Sequence, residues 1–221
     1  MKRSLMCAVV AMFVTSSLVV AAPTPWANPA GSQPGYSYSN GQSENGLFGS
    51  PATGPGFFAF APSFMSASSS NGVPGAVSDK LSVDLLADGS KRFGKIGVSV
   101  QGDYALLGPA SVDVTGTLKL TNLLTLAVLT QSVAFAPNFP VFNGTGLFSG
   151  SAEINLPTGW KSVMVEFENE LTASSQQGGT GFIQTKVGTV DVTVVPLPAA
   201  AAMIPAAIPM IWWARRRFRR R

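Results

Sequence analysis

The chain has 221 residues, with 15 Lys and Arg, 11 Asp and Glu, no His and one Cys, and only 12% of its residues are charged, about half the usual share of roughly 25%. Without His there is no Ser-His-Asp triad, no imidazole base and no His-containing metal site; the lone Cys7 forms no intramolecular disulfide, zinc ribbon or thioredoxin-type motif. The formal charge of +4 belongs to the tips: Lys2, Arg3 and six Arg within 215–221 are eight of the fifteen basic residues, so the other seven face all eleven acidic ones and the stretch between them carries −4, the wrong sign for a nucleic-acid footprint.

Residues 1–21 read as a secretion signal. Met1-Lys2-Arg3 is a short positive region, Ser4 to Val20 is uncharged and mostly apolar, and Ala21-Ala22 is a small-residue cleavage region followed by Pro23-Thr24-Pro25. Cleavage after Ala21 keeps Pro23 away from the scissile bond and leaves a mature chain without Cys, which suits an oxidising exterior. The alternative is an uncleaved anchor, near the lower limit of about 17–25 residues for a span.

Residues 22–46 are rich in Pro, Gly, Ser, Asn and Gln, with Trp26, Tyr36 and Tyr38 scattered among them; this composition predicts a flexible leader. Apolar clusters begin at Leu47-Phe48 and continue at 57–60 and 64–65, separated by turn residues such as Asn71-Gly72. From Leu81 the pattern alternates. Ile96, Val98 and Val100 share one parity, as do Val112, Val114, Leu118 and Leu120; Leu124–Val128 and Val133–Phe135 continue it. Val163, Val165, Phe167 and Leu171 alternate with Glu166, Glu168 and Glu170, and Val187, Val190, Val192 and Val194 close the run. Period two with short turns predicts an all-β, antiparallel, sandwich-like domain over 47–194, long enough to bury a core without staples.

The segment 195–221 begins Val195-Pro196-Leu197-Pro198-Ala199, continues uncharged through Ala214, and ends in Arg215, Arg216, Arg217, Phe218, Arg219, Arg220 and Arg221. A helix over 199–214 is about 24 Å long at ~1.5 Å per residue, short against a hydrocarbon core of ~30 Å. Pro205 and Pro209 kink it. Trp212 and Trp213 sit where an aromatic belt meets the headgroups, and the arginines hold that end in the cytoplasm, so the body faces outward. A buried core helix would have to release the arginine-rich stretch directly from the core, and basic nucleic-acid arms seldom follow a Trp-ended apolar run.

The order of Val195-Pro196-Leu197-Pro198-Ala199, apolar stretch and Arg cluster resembles the PEP-CTERM sorting signal in its VPLPA-type variant. Leu197 stands where many relatives carry Glu. The resemblance implies recognition by an exosortase, transient anchoring in the inner membrane of a Gram-negative bacterium that makes exopolysaccharide, and release to the cell surface or matrix. Its motif residues are recognition elements in a substrate, which does not make the chain an enzyme. The stretches 44–50, 77–83, 102–108 and 156–161 are similar to exterior regions of such proteins and imply no reaction.

Sites for chemistry are sparse. Glu166, Glu168 and Glu170 share a strand face at about 6.8 Å spacing, from a rise of roughly 3.4 Å per residue; that distance suits an acid/base pair, but the alternation is what a wet sheet face requires. Asp79, Asp84 and Asp88 match no calcium loop. Asn143-Gly144-Thr145 reads as a turn and 176–181 as a hairpin loop, since it lacks the Lys-Ser/Thr of a phosphate loop. Trp26, Trp160, Tyr36, Tyr38 and Tyr104 are candidates for stacking on sugar rings. The expectation is therefore an exported structural or adhesive surface protein without cofactor, metal or nucleic acid. A carbohydrate-binding module for exopolysaccharide is the alternative, and a hydrolase using Glu166 and Glu168 the third reading.

Overall fold

The computed structural model describes residues 22–136 and 143–197. The expected signal segment with Ala21, the expected span 199–214, Pro198 and Ala199 of the expected motif, and Arg215, Arg216, Arg217, Arg219, Arg220 and Arg221 lie outside the described residues.

In chain order the strands are β1 (Thr24–Pro25), β2 (Gly31–Gln33), β3 (Tyr36–Ser43), β4 (Ala52–Gly54), β5 (Phe57–Phe60), β6 (Ser66–Ser70) and β7 (Gly75–Ala87). They continue with β8 (Lys91–Leu107), β9 (Ala110–Asn122), β10 (Val128–Ser132), β11 (Ala134–Ala136), β12 (Gly144–Asn155), β13 (Ser162–Ser175) and β14 (Thr180–Pro196). The first sheet runs β1-β3-β7-β13-β9-β10 with β2 on β3, the second β11-β12-β8-β14-β5-β4 with β6 on β14. Every pairing is antiparallel. The protein is thus all-β and sandwich-like over its described residues, as the alternation predicts.

The reason is parity. In β13, Val163, Val165, Phe167 and Leu171 are buried while Glu168 and Glu170 are exposed. In β8, Phe93, Ile96, Val98 and Val100 are buried. The inward rows of both sheets, with Phe58, Phe60, Leu81, Leu85, Leu118 and Leu120, form one core, and burying each such side chain contributes about 1.5–3 kcal/mol. Asn71 and Gly72 take φ 49 and φ 86, so the Asn-Gly turn expected there has the geometry that joins twisted strands. Val133 is buried and donates its N–H to Gly116 O, pinning the chain as it passes from β10 in one sheet to β11 in the other.

Three features depart from the sequence reading. Residues 22–46 contribute β1, β2 and β3 to the first sheet, and Trp26, Tyr36 and Tyr38 are buried. The Gly content that suggested a flexible leader instead makes room for rings: a Cβ on Gly41 would lie 2.2 Å from Trp26 Cε3, and one on Gly31 2.6 Å from the Tyr38 hydroxyl oxygen. The aromatic area gained outweighs the ordering entropy. Leu124–Val128 is not a strand throughout, because 123–127 forms the loop between β9 and β10. Asn122 breaks the ladder there, its side-chain Oδ1 accepting from Leu124 N at 2.9 Å and Thr125 N at 3.1 Å. The last strand also runs past the expected 194 boundary to Pro196.

Candidate functional site

The described part of the segment expected to be a sorting motif is built into the sheet. Val195 pairs with Arg92 and Pro196 with Lys91 at the end of β14. Leu197 N donates to Ser90 O at 2.8 Å. Pro fits here because it ends the ladder, where its missing N–H costs least. Ala22 is exposed, beside the expected cleavage point.

The aromatic side chains proposed for stacking are core residues. Trp26, Tyr36, Tyr38, Tyr104 and Trp160 are each at most 8% exposed. Trp26 packs on Phe58 and Phe60 at ring-centroid distances of 5.7 Å and 5.4 Å, and Tyr38 lies edge-on to Phe58 at 5.2 Å. Their rings complete the sandwich and present no platform to a sugar.

The glutamate row lies on the outer face of the first sheet. Glu166 is opposite Lys119 of β9 and its Oε2 is 2.7 Å from Lys119 Nζ. Glu168 lies opposite Lys80 of β7 and Thr117 of β9, and Lys80 Nζ is 3.3 Å from Glu44. The carboxylates thus stand in a cross-strand ladder with cations, as a wet face favours. Towards β3 the same face holds an open depression of ≈ 420 Å³ lined by Pro25, Pro29, Asn40, Gly41, Gln42, Ser82, Asp84 and Met164. Asn40 Nδ2 donates to Asp84 Oδ2 at 2.8 Å. Its polar atoms can exchange hydrogen bonds with hydroxyl groups, and Asp84 is the only carboxylate in its lining, so the lining holds no acid/base pair. Among the described residues no group of three metal-ligating side chains is gathered.

The loops follow their sequence reading only in part: Gly144 and Thr145 of the expected turn already belong to β12, and Thr180 and Gly181 of the expected hairpin loop to β14. The segment 176–179 links β13 to β14, with Gly179 N donating to Gln176 O at 3.0 Å and Gly178 N to Asn71 Oδ1 at 3.1 Å. Asn143 precedes β12 and its Oδ1 accepts from Gly108 N.

Two buried polar residues were not legible as special. Asp79 sits on the inward parity of β7, 1% exposed. Its carboxylate accepts from Ser43 Oγ, Asn45 N, Leu47 N, Phe48 N and Lys80 N, fastening the segment that carries Phe48 into the core. Asn169, fully buried on β13, donates its Nδ2 to Thr185 Oγ1 at 3.0 Å across the sandwich and to Met65 Sδ at 3.7 Å. The signal for both was a polar residue at an inward position between Val77 and Leu81 or between Phe167 and Leu171. Tyr36 also carries a buried polar group. Burial, with Tyr38 adding to it, pushes its phenol up to about 12, and its hydroxyl has no hydrogen-bond partner among the described residues.

No family model matches the chain, and no curated protein matches it. Among solved structures it is similar to Eiger TNF from S. frugiperda, at 14% identity over 46% of this chain and 63% of that one, with a TM-score of 0.23. It is also similar to infectious bursal disease virus Gt strain, at 14% identity over 73% of this chain and 48% of that one, with a TM-score of 0.30. The chain therefore spans less than two thirds of either neighbour. Likenesses this distant assign no activity.

Proposed function

We propose that this is an exported structural or adhesive protein of the cell surface or extracellular matrix, sorted through a C-terminal signal that an exosortase reads. The observation that carries the reading is the order of Val195–Ala199, an uncharged stretch to Ala214, and six arginines. Six guanidinium groups do not follow an apolar segment through a bilayer, so the sheet-forming part is held outside. The fold supports the reading by its economy: β14 completes the second sheet and runs into Val195 and Pro196 without a linker. The sorting enzyme acts as partner, the inner membrane as a transient anchor, and the domain needs no cofactor for this role.

Mass spectrometry of the mature C-terminus, in wild-type cells and in cells lacking the sorting enzyme, tests it. The expected result is a C-terminus lying beyond Leu197 and lacking the arginines in wild type only, because Val195 and Pro196 are held in the ladder to Lys91 and Arg92. An Arg-bearing C-terminus persisting equally in both strains overturns the reading.

A further inference from the structure

The loop between β9 and β10 is an ordered apolar projection. Leu124 is 75% exposed and Leu126 73%, with Val128 at 51% and Leu123 at 36%. The loop is not slack. Besides the two bonds to the Asn122 side chain, Leu126 N donates to Asn122 O and Asn122 N to Ala127 O, each at 2.8 Å. Leu126 holds φ 60, a left-handed conformation that Gly or Asn takes far more readily than Leu. A strained, firmly bonded turn that shows leucines to solvent serves neither the core nor solubility.

Its place in the fold says what it meets. Leu123 N donates to Ser162 O, and Val163 pairs with both Asn122 and Leu85. The loop therefore lies at the end of the sandwich where β7 turns into β8 and where β12 leads into β13. Ala87 N donates to Lys161 O at that end, and Leu197 N to Ser90 O. So the chain leaves the sandwich towards the apolar segment 199–214 from the end that carries the leucines. Leu86, 54% exposed, pairs with Ser162 there. The same end gathers Lys91 and Arg92, paired with Pro196 and Val195, and Lys161, whose Nζ donates to Gly89 O; they outnumber the exposed Asp88 of the same turn.

We propose that this end of the sandwich is a lipid-contact surface: the 123–128 tip seats in the bilayer interface while Lys91, Arg92 and Lys161 face anionic headgroups. The proposal rests on the sorting reading for the bilayer that the chain enters beside the tip. Apolar side chains flanked by cations are the composition that binds an anionic interface. A second copy of the chain fits less well, because a loop limited to 123–127 offers far less than the roughly 800 Å² per partner of a stable interface. Seated, the tip holds the domain down on the membrane and keeps the motif at Val195–Ala199 against the bilayer, where a membrane-embedded sorting enzyme reads it.

The test uses the chain from Ala22 to Arg221, the expected product of signal cleavage, which has no Cys, reconstituted into vesicles of phosphatidylethanolamine and phosphatidylglycerol. An environment-sensitive fluorophore is placed at Leu124→Cys or, at the opposite end of β8, at Leu107→Cys. The expected result is a blue-shifted emission quenched by nitroxide lipid at 124, an aqueous emission at 107, and a weaker shift at 124 in phosphatidylcholine vesicles. Leu126→Asn, which suits φ 60, should keep the circular dichroism spectrum while lowering the ratio of seated to unseated tips about tenfold. Alkaline carbonate extraction reads the anchor separately. A chain that resists extraction but shows aqueous emission at both sites overturns the tip proposal and leaves the sorting reading standing. An extractable chain with a shifted 124 probe upholds the tip and removes the anchor, and an extractable chain with no shift overturns both.

Discussion

Asp79 shows how one side chain decides the path of a segment. Five donors converge on its carboxylate, and three of them are backbone N–H groups of 45–48 that no strand partner satisfies. Hydrogen bonds to a buried charged group are worth about 1.5–3 kcal/mol, and leaving the donors unpaired costs more than the bonds are worth. Asp79→Ala should therefore lower stability by about 3 kcal/mol or more in chemical denaturation, whereas Asp113→Ala, at an exposed position of β9, should change it by less than about 0.5 kcal/mol. Tyr36 acts in the opposite sense. Its phenol is raised from 10.0 to about 12 by burial. Below pH 10 the folded and unfolded chains both keep the proton. Between pH 10 and 12 the unfolded chain loses it while the folded chain holds it, so stability falls as pH rises through that window, by on the order of 2–3 kcal/mol. Tyr36→Phe should remove this alkaline component and should be neutral to about 1 kcal/mol stabilising at pH 7, because the hydroxyl is buried without a partner among the described residues. Denaturation at pH 8 and pH 11 measures both effects.

Among the elements, β3 and β14 carry the contrast between pattern and context. β13 and the last part of β14 were legible because apolar residues recur at every second position, Val163, Val165 and Phe167 in one and Val190 and Val192 in the other, which needs no knowledge of the rest of the chain; Val187, expected in the same run, is exposed because the register shifts between Thr185 and Val187. β3, with the sequence Tyr-Ser-Tyr-Ser-Asn-Gly-Gln-Ser, alternates too, but its polar composition matches that of a disordered linker. Its partner decides it: Tyr36 and Tyr38 lie opposite Ala87 and Leu85 of β7 and their rings meet Phe93 and Phe58. Deleting 22–46 should thus abolish the cooperative thermal transition seen by near-ultraviolet circular dichroism, since it removes Trp26, Tyr36 and Tyr38 from the core. A truncated chain that melts as the full one does would restore the leader reading. The 123–127 loop was missed for the converse reason. Its leucines continue the apolar pattern, and only the hydrogen bonds that the Asn122 side chain accepts from Leu124 N and Thr125 N show that the ladder stops there.

On the scale of the whole molecule, one core joins the two sheets, and the polar decoration is sorted by face and by end. The outer face of the first sheet holds the Lys119–Glu166 pair and the depression beside Asp84. The end from which the chain leaves at Leu197 holds Lys91, Arg92 and Lys161 beside the exposed leucines of the β9–β10 loop. None of this sorting is visible along the chain, because residues as far apart as Lys91 and Pro196 meet only through strand pairing.

The amino-acid sequence alone determined the strand-forming body, since parity is a local property that each segment carries for itself. It also supplied the expectation of export and sorting, since hydropathy and charge order act on an extended chain before any fold exists. Tertiary structure decided which aromatic residues are core and not ligand platform, which of the carboxylates is buried to hold a loop, and which end of the sandwich gathers leucines and cations. Those outcomes depend on registers between strands distant in sequence, and a register is set by the summed burial of both faces, which no single segment contains.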